Sequence, residues 1–252
     1  MRAIGADTGG TFTDLVLLDG DEVRAVKVHS TPADPSQAVL RGLEATGETS
    51  GIELIHGSTV GLNAMLTGEI APTALITNEG FRDLIEIGRQ DRPELYALHP
   101  TKPAPLVDRK RRYEVGQRAW PGADGAIMIA KRPSRAELAR LVARVRRSGA
   151  RSVAVCLLHS YADPSMEEEI ARPFEEAGFA VTCSARLLAE HREFERFSTA
   201  IANAALIPIV RAYLERLRTR VGDRELSLLQ SSGGTLPAAQ AAAEPVRVLF
   251  SG

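Results

Sequence analysis

The sequence predicts an α/β protein led by a β-hairpin, with a mixed sheet flanked by helices. Three observations carry that expectation. The chain opens with two short apolar runs, one holding Ala3, Ile4 and Ala6 and the other Leu15 to Leu18. Between them stands Asp7-Thr8-Gly9-Gly10-Thr11; the runs are too short for helices, and paired glycines supply turn dihedrals at little steric cost. Between about positions 50 and 184, strand-like runs alternate with helical ones, which argues for a largely parallel sheet covered on both faces. The length of 252 residues and the 44% hydrophobic content suffice for one large core or two modest ones.

Each element follows from local pattern. After the hairpin, residues 22–29 read as a third strand, with Val23, Ala25 and Val28 in rough alternation. Residues 31–35 form a turn, and Ser36 is the expected N-cap of a helix through Glu44. A short strand from Ile52 ends at His56-Gly57-Ser58-Thr59, where a helix carrying Asn63 begins. Residues 73–77 read as a buried strand, and residues 79–83 start a helix through Ile87. The stretch 88–96 is dense in charge and precedes a proline-rich connection at 102–106. Residues 110–117 read as a strand, followed by a turn at 121–125. Ser134 caps a helix whose Leu138, Leu141, Val142 and Val145 fall at helical spacing. A buried strand at 152–158 delivers His159, Ser160 and Tyr161, Pro164 and Ser165 open a helix through Glu176, and 180–183 is another strand. A compositional boundary near Ser184 divides the chain into domains 1–184 and 185–252. Beyond it, a long amphipathic helix spans 200–221, and Pro208 is expected to kink or divide it. Asn203 lies one turn after Thr199, so the two share a face. Residues 226–230 form a strand ending in Ser231-Ser-Gly233-Gly234, and 246–252 begin a further one.

Composition excludes several classes. A formal charge of −1 argues against a nucleic-acid scaffold, which normally carries a basic excess. Arg135, Arg140, Arg144, Arg146 and Arg147 read as the solvated face of one helix. No run of about eighteen apolar residues occurs, so no membrane-spanning helix is expected. The N-terminus opens into a strand without a basic region or cleavage site, so no signal peptide is expected and the protein is placed in the cytoplasm. Cys156 and Cys183 sit in apolar runs and read as free buried thiols.

Three stretches can carry chemistry. The turn at Asp7–Thr11 exposes a row of backbone N–H groups that suits phosphate oxygens, with hydroxyls from Thr8, Thr11 and Thr13. Asp7 suits Mg²⁺, which takes few carboxylates and keeps its waters. A plain hairpin whose glycines serve only the turn is the competing reading. At 56–63, polar groups at a strand's C-terminal end face a helix start, a common ligand position in α/β folds. Alternatively Ser58 merely caps and Asn63 is solvated. In 88–96, Arg89 and Arg92 are forks able to hold a carboxylate or an amide edge, although on the residues alone a solvated loop is the favoured account.

Asp7-Thr-Gly-Gly-Thr-Phe-Thr-Asp14 resembles the first phosphate motif of the hydantoinase/oxoprolinase family, within the actin/sugar-kinase/heat-shock ATPase superfamily. Further matches follow in order: residues 56–63, 80–90 with the tail 92–96, 192–199 leading to Asn203, and Gln230-Ser-Ser-Gly-Gly234. The resemblance implies the N-terminal half of an actin-like (ribonuclease H-like) ATPase fold. It also implies ATP and Mg²⁺ as cofactors, spent on phosphorylating an unreactive carbonyl or enolate oxygen. Carried over by position, Asp7, Gly9, Gly10, Thr11 and Thr13 form the phosphate clamp, with Asp14, Gly233 and Gly234 counted in the nucleotide set. Asp7 is the metal contact and, with Arg89, a catalytic candidate. Thr59, Asn63 and Gln90 stand on the substrate side, and Arg89 steadies developing negative charge.

Two departures qualify the resemblance. Met166 precedes Glu167 where the family usually carries a histidine. The chain also stops before the second phosphate loop that family members possess, so it resembles a fragment holding half a nucleotide site. The implied activity is ATP-dependent ring opening of a cyclic amide. The alternatives are an acetone- or acetophenone-type carboxylase subunit, a small-molecule kinase of the same superfamily, or a non-catalytic nucleotide-binding module. The implied partners are a small amide or ketone and a hydantoinase B-type subunit or fused domain, in an oligomer.

Overall fold

The computed structural model describes residues 2–31, 34–47, 51–123 and 126–251. Parts of two expected turns, Pro32 with Ala33 and Asp124 with Gly125, lie outside them. The first elements are β1 (Arg2–Thr8), β2 (Phe12–Asp19), β3 (Glu22–His29), α1 (Pro35–Thr46), β4 (Glu53–Ser58) and α2 (Val60–Thr67). Next come β5 (Thr73–Asn78), α3 (Leu84–Ile87), β6 (Arg112–Val115), β7 (Arg118–Pro121), β8 (Ile127–Lys131) and α4 (Arg135–Arg147). Then follow β9 (Ser152–Val155), α5 (Ser165–Glu176), β10 (Ala180–Cys183), α6 (Ser184–Leu187) and α7 (Glu193–Val221). The chain closes with β11 (Leu226–Leu229), β12 (Thr235–Pro237) and α8 (Ala238–Ala243).

The chain packs as two units, residues 1–70 with 209–252, and residues 71–208. This division differs from the one at 184/185 read from composition, because α7 begins in one unit and ends in the other.

The first unit is a six-stranded mixed sheet in the order β12-β11-β4-β1-β2-β3. β1, β4 and β11 run parallel, while β2, β3 and β12 pair antiparallel to their neighbours. β2 shows the alternation of a half-covered strand: Thr13, Leu15 and Leu17 are buried, and Phe12, Val16 and Leu18 are exposed. Its buried side receives α1. Gly42 permits that approach, since a Cβ there would stand 2.0 Å from Leu15 Cδ1. The first turn of α1 is set by Asp34 rather than by Ser36, whose hydroxyl donates to the Asp34 carboxylate.

The second unit is a parallel four-stranded sheet, β10-β9-β5-β6, with β7 and β8 as a separate hairpin. Every residue of β5 and β9 is buried, because helices cover both faces. On one face Ala74, Ile76, Val153 and Val155 pack with Leu138, Leu141, Ile170 and Phe174 of α4 and α5. On the other, Leu75, Ala154 and Cys156 pack with Phe197, Ala200 and Ile201 of α7. The parallel-sheet expectation therefore holds for β5, β6, β9 and β10. β4 is also parallel to its neighbours, but these are β1 and β11 in the other sheet, and β7 with β8 pair antiparallel. Both cysteines are free and buried, as expected.

Three further expectations are corrected. Residues 79–83 form a turn, and only Leu84–Ile87 are helical. α7 is not divided at Pro208; it starts seven residues earlier than expected and runs 29 residues. Tertiary cover compensates for the missing amide: Ala204, Ala205, Leu206, Ile207 and Val210 around the proline are all buried. By length and composition α7 would suit a membrane span, yet 61% of its most apolar window is buried inside the chain. Finally, Pro245–Val248 is a 3-10 turn and not a strand. Its Arg247 carbonyl is occupied by Ser231 N–H, and Phe250 N–H by Ser231 Oγ, rather than by a strand partner.

Candidate functional site

Because β1, β4 and β11 are parallel neighbours, their C-terminal ends lie at one end of the first unit's sheet. The residues that follow each strand gather there: Gly9 to Thr11, Thr59, and Gln230 to Gly234. The crevice beyond parallel strand ends is where α/β sheets take ligands.

The first turn is held from below. Gly9 N–H donates to Phe12 O at 3.0 Å, and Ser30 donates through N–H to Thr11 O and through Oγ to Gly9 O. Ser30 Oγ also lies 2.9 Å from Thr13 Oγ1. Thr13 is fully buried, so it braces the turn and is not free to clamp a phosphate. The upper side is open. Gly10 and Thr11 are exposed, and their amides find no acceptor among the described residues. Neither Gly9 nor Gly10 has a positive φ, and a Cβ on Gly10 would meet nothing within 4 Å. The chain's own packing therefore does not require glycine at 10.

Asp7 is exposed, and its carboxylate makes no hydrogen bond or ion pair among the described residues. Its Oδ1 lies over Gly57, where a Cβ would stand 3.1 Å from it and 2.7 Å from Ser251 O. Asp14 shares that face of the sheet but is engaged, 2.7 Å from Lys27 Nζ. No cluster of three or more His, Cys, Asp or Glu suited to a metal occurs among the described residues. A lone open carboxylate beside open amides nevertheless fits Mg²⁺ delivered on phosphates, since that ion needs only one or two carboxylates. The residues present thus fit both ATP phosphates and their Mg²⁺.

At the second strand end, Thr59 caps α2 and donates from Oγ1 to Thr8 O at 3.2 Å. Asn63 Nδ2 donates back to Thr59 Oγ1 at 3.4 Å. Beneath them His56 is completely buried, with Nδ1 3.1 Å from Ala6 O and Nε2 2.6 Å from Tyr213 Oη. A carbonyl only accepts, so Nδ1 carries the proton and Nε2 accepts from the phenol. Burial lowers the His56 pKa to about 4, which keeps the ring neutral. Burial likewise pushes the Tyr213 hydroxyl up. Thr8 Oγ1, buried beside that phenol, falls outside hydrogen-bonding limits to any described group. At the third strand end Gly233 and Gly234 have φ of +90° and +79°. Gly233 N–H donates to Gln230 O and Gln230 N–H to Gly234 O, closing the turn on itself.

In the second unit, Arg89 is not a free fork. Its Nε and Nη2 donate to both oxygens of Glu195 at 2.8 and 2.6 Å, and this bond holds the Glu195 carboxyl below its usual pKa. Gln90 follows with a φ of +59°. Arg92 donates to Ala97 O. Arg89 and Glu195 border a polar hollow of ≈ 650 Å³ shared with His191 and Arg192.

Met166 packs in the core, so no polar group stands at that position. Its neighbour Glu167 is fully buried, and burial raises its pKa. Leu157 N–H, Ser184 Oγ and Ser160 Oγ lie 2.7–2.8 Å from its Oε1, and Ala185 N–H donates to Oε2 at 2.9 Å. Sequence pattern did not single out His56 with Tyr213, Ser30 or Glu167. A histidine in an otherwise apolar run was the one available signal; Glu167 heads a run of three glutamates and Ser30 carried no signal.

The fold is a mixed α/β sheet that carries an open glycine turn at its parallel strand ends. The chain matches the hydantoinase/oxoprolinase N-terminal region over residues 3–178 and the hydantoinase/oxoprolinase region over residues 196–252. It belongs to the hydantoinase/oxoprolinase family. It is 36% identical to the uncharacterized protein MJ0964 of Methanocaldococcus jannaschii, over 99% of this chain and 38% of that protein. It is 30% identical to 5-oxoprolinase PfmaA of Pestalotiopsis fici, over 92% of this chain and 21% of the relative. The crystal structure of an ATP-dependent caprolactamase from Pseudomonas jessenii superposes with a TM-score of 0.79 at 28% identity, covering 94% of this chain and 36% of that one. The chain thus spans well under half the length of each.

Proposed function

We propose that this chain supplies the first phosphate loop of an ATP-dependent enzyme that activates a cyclic amide for ring-opening hydrolysis. The observation that carries the reading is the open turn at Gly10 and Thr11 beside the unpaired Asp7, at the parallel strand ends. The names of a 5-oxoprolinase relative and a caprolactamase neighbour support the amide class. Gly10 and Thr11 hold phosphate oxygens through their amides, and Asp7 takes the Mg²⁺ that accompanies them. Ser30 and Thr13 keep the turn in shape from below. ATP, when bound, supplies the phosphoryl group that makes an amide carbonyl labile, a transfer governed by positioning and charge neutralisation. Thr59 and Asn63 orient the substrate side of the first unit. Arg89 meets developing negative charge once it exchanges Glu195 for the substrate. The rest of the nucleotide site comes from a second phosphate loop, and a hydantoinase B-type subunit or fused domain completes the hydrolase in the cytoplasm.

The test is phosphate release by the full-length protein with its neighbouring subunit, Mg·ATP and hydantoin, 5-oxoproline or acetophenone. Stimulation by a cyclic amide is expected; stimulation by the ketone with bicarbonate would make it a carboxylase. Asp7→Ala abolishes this turnover with the melting temperature unchanged. Full turnover in a folded Asp7→Ala variant removes the metal role.

A further inference from the structure

The first unit's sheet carries a buried polar chain on the face turned away from Asp7. In the parallel pairing of β1 with β4, Ala6 stands beside His56, Asp7 beside Gly57 and Thr8 beside Ser58. Side chains alternate along a strand, so Asp7 points to one face while Thr8, His56 and Ser58 point to the other. Burial follows that alternation: Ala6, Thr8, His56 and Ser58 are buried, and Asp7 is exposed. Onto the buried face α7 delivers Tyr213, which is 1% exposed and is carried by a stretch whose Val210, Leu214 and Leu217 are buried too. That packing leaves the ring one position.

Proton directions in this chain are set from one end. The Ala6 carbonyl only accepts, so His56 Nδ1 donates to it and Nε2 is left as an acceptor. Tyr213 Oη, 2.6 Å from Nε2, commits its single proton there. The phenol oxygen then offers only lone pairs to the Ser58 and Thr8 hydroxyls that lie beside it. Ser58 Oγ in turn accepts from Val60 N–H in the first turn of α2. One hydroxyl group thus ties together the ends of β1 and β4, on the opposite side of the backbone from which Asp7 projects. We infer that Tyr213 is a positioning residue for Asp7: by holding His56 on β4 and, through it, the Ala6 carbonyl on β1, it fixes the carboxylate over Gly57 for the Mg²⁺ of a bound nucleotide. The metal role of Asp7 rests on the function proposed above; the anchoring of the strand ends does not. The turn at Gly9–Thr11 has its own brace in Ser30 and Thr13, so Tyr213 acts on the metal contact and not on the phosphate-binding amides.

Equilibrium binding of ATP to the full-length Tyr213→Phe protein tests this by calorimetry, with Mg²⁺ present and again with Mg²⁺ removed by a chelator. With Mg²⁺ the affinity is expected to fall about tenfold, the low end for loss of a group that orients a metal ligand. Without Mg²⁺ it is expected to change by less than about twofold, because phosphate contacts through the turn amides are untouched. A merely structural role would lower the melting temperature and weaken both affinities alike, or neither. Unchanged Mg·ATP affinity, or equal losses with and without Mg²⁺, overturns the inference. Where Tyr213→Phe does not fold, Tyr213→Phe combined with His56→Leu decides the matter, since removing both partners leaves no unpaired ring nitrogen in the core. The two readings fail separately. A natural protein that binds no Mg·ATP removes the phosphate-loop reading. The anchoring then stands on amide exchange at Asp7 and Thr8, expected to be about tenfold faster in Tyr213→Phe, and unchanged exchange removes it.

Discussion

Two glycine pairs stand at the same end of the first unit's sheet, and they are glycines for opposite reasons. Gly233 and Gly234 occupy left-handed backbone and close their turn with hydrogen bonds to Gln230. Their identity is dictated from inside, because an L side chain there is strained. Gly9 and Gly10 have no such backbone, and Gly10 has open space where its Cβ would be. The amides of Gly10 and Thr11 point to no acceptor among the described residues. One pair satisfies the chain, and the other leaves room for something that is not the chain. Sequence treats them as one signal, while backbone angle and amide partners separate them.

The largest effect that sharpens this contrast concerns the strand feeding the first turn. His56 binds the Ala6 carbonyl and stays neutral with a pKa near 4. Between about pH 6.5 and 4 the unfolded chain binds a proton that the folded one refuses, so stability is present above that window and is lost as pH falls through it. The loss amounts to about 3 kcal/mol. Urea unfolding across that range should show it in the natural protein and lack it in His56→Gln. A pH slope unaltered by that change would detach His56 from the turn's support.

Next in size is Gly10→Val, which we expect to lower Mg·ATP affinity roughly a hundredfold, about 2.8 kcal/mol, in a full-length protein. Unfolding free energy should stay within about 0.5 kcal/mol. A stability loss with affinity retained would make the first pair a structural turn like the second. Gly233→Ala gives the converse, a stability loss of about 1–2 kcal/mol with nucleotide affinity nearly kept. The smallest is Ser30→Ala, which removes a brace bonded to Gly9 and Thr13 and costs about 1 kcal/mol. Should Ser30→Ala change neither stability nor affinity, the turn is held by its strands alone.

Local chemistry was the legible part. The alternation of β2, the strand-to-helix junction at His56–Thr59 and the Ser134 cap, which accepts from Glu137 N–H, all follow from neighbouring residues. The mixed α/β fold followed from them. What sequence did not disclose was set by distant partners. β4 joins the hairpin's sheet because its register is fixed against β1 and β11, the latter about 170 residues away. α7 crosses Pro208 because cover from the cores outweighs one lost hydrogen bond. Thr13 looked like a clamp residue until Ser30 accounted for its hydroxyl, and Arg89 looked free until Glu195 did. Asp7, Gly10 and Thr11 differ from these in that, among the described residues, no distant partner takes up their carboxylate or amides.

Glu167 has a consequence for the order in which the second unit assembles. Its donors come from the segment after β9 and from the start of α6, while the carboxylate itself rides on α5. An intermediate that collapses with any of the three out of place would enclose an ionised group short of donors, which is unfavourable. A buried carboxylate of this kind is expected to act as a checkpoint. Compaction should then stay reversible until all three segments have arrived, and pulsed amide exchange should show Leu157 and Ala185, whose amides donate to Glu167, becoming protected together.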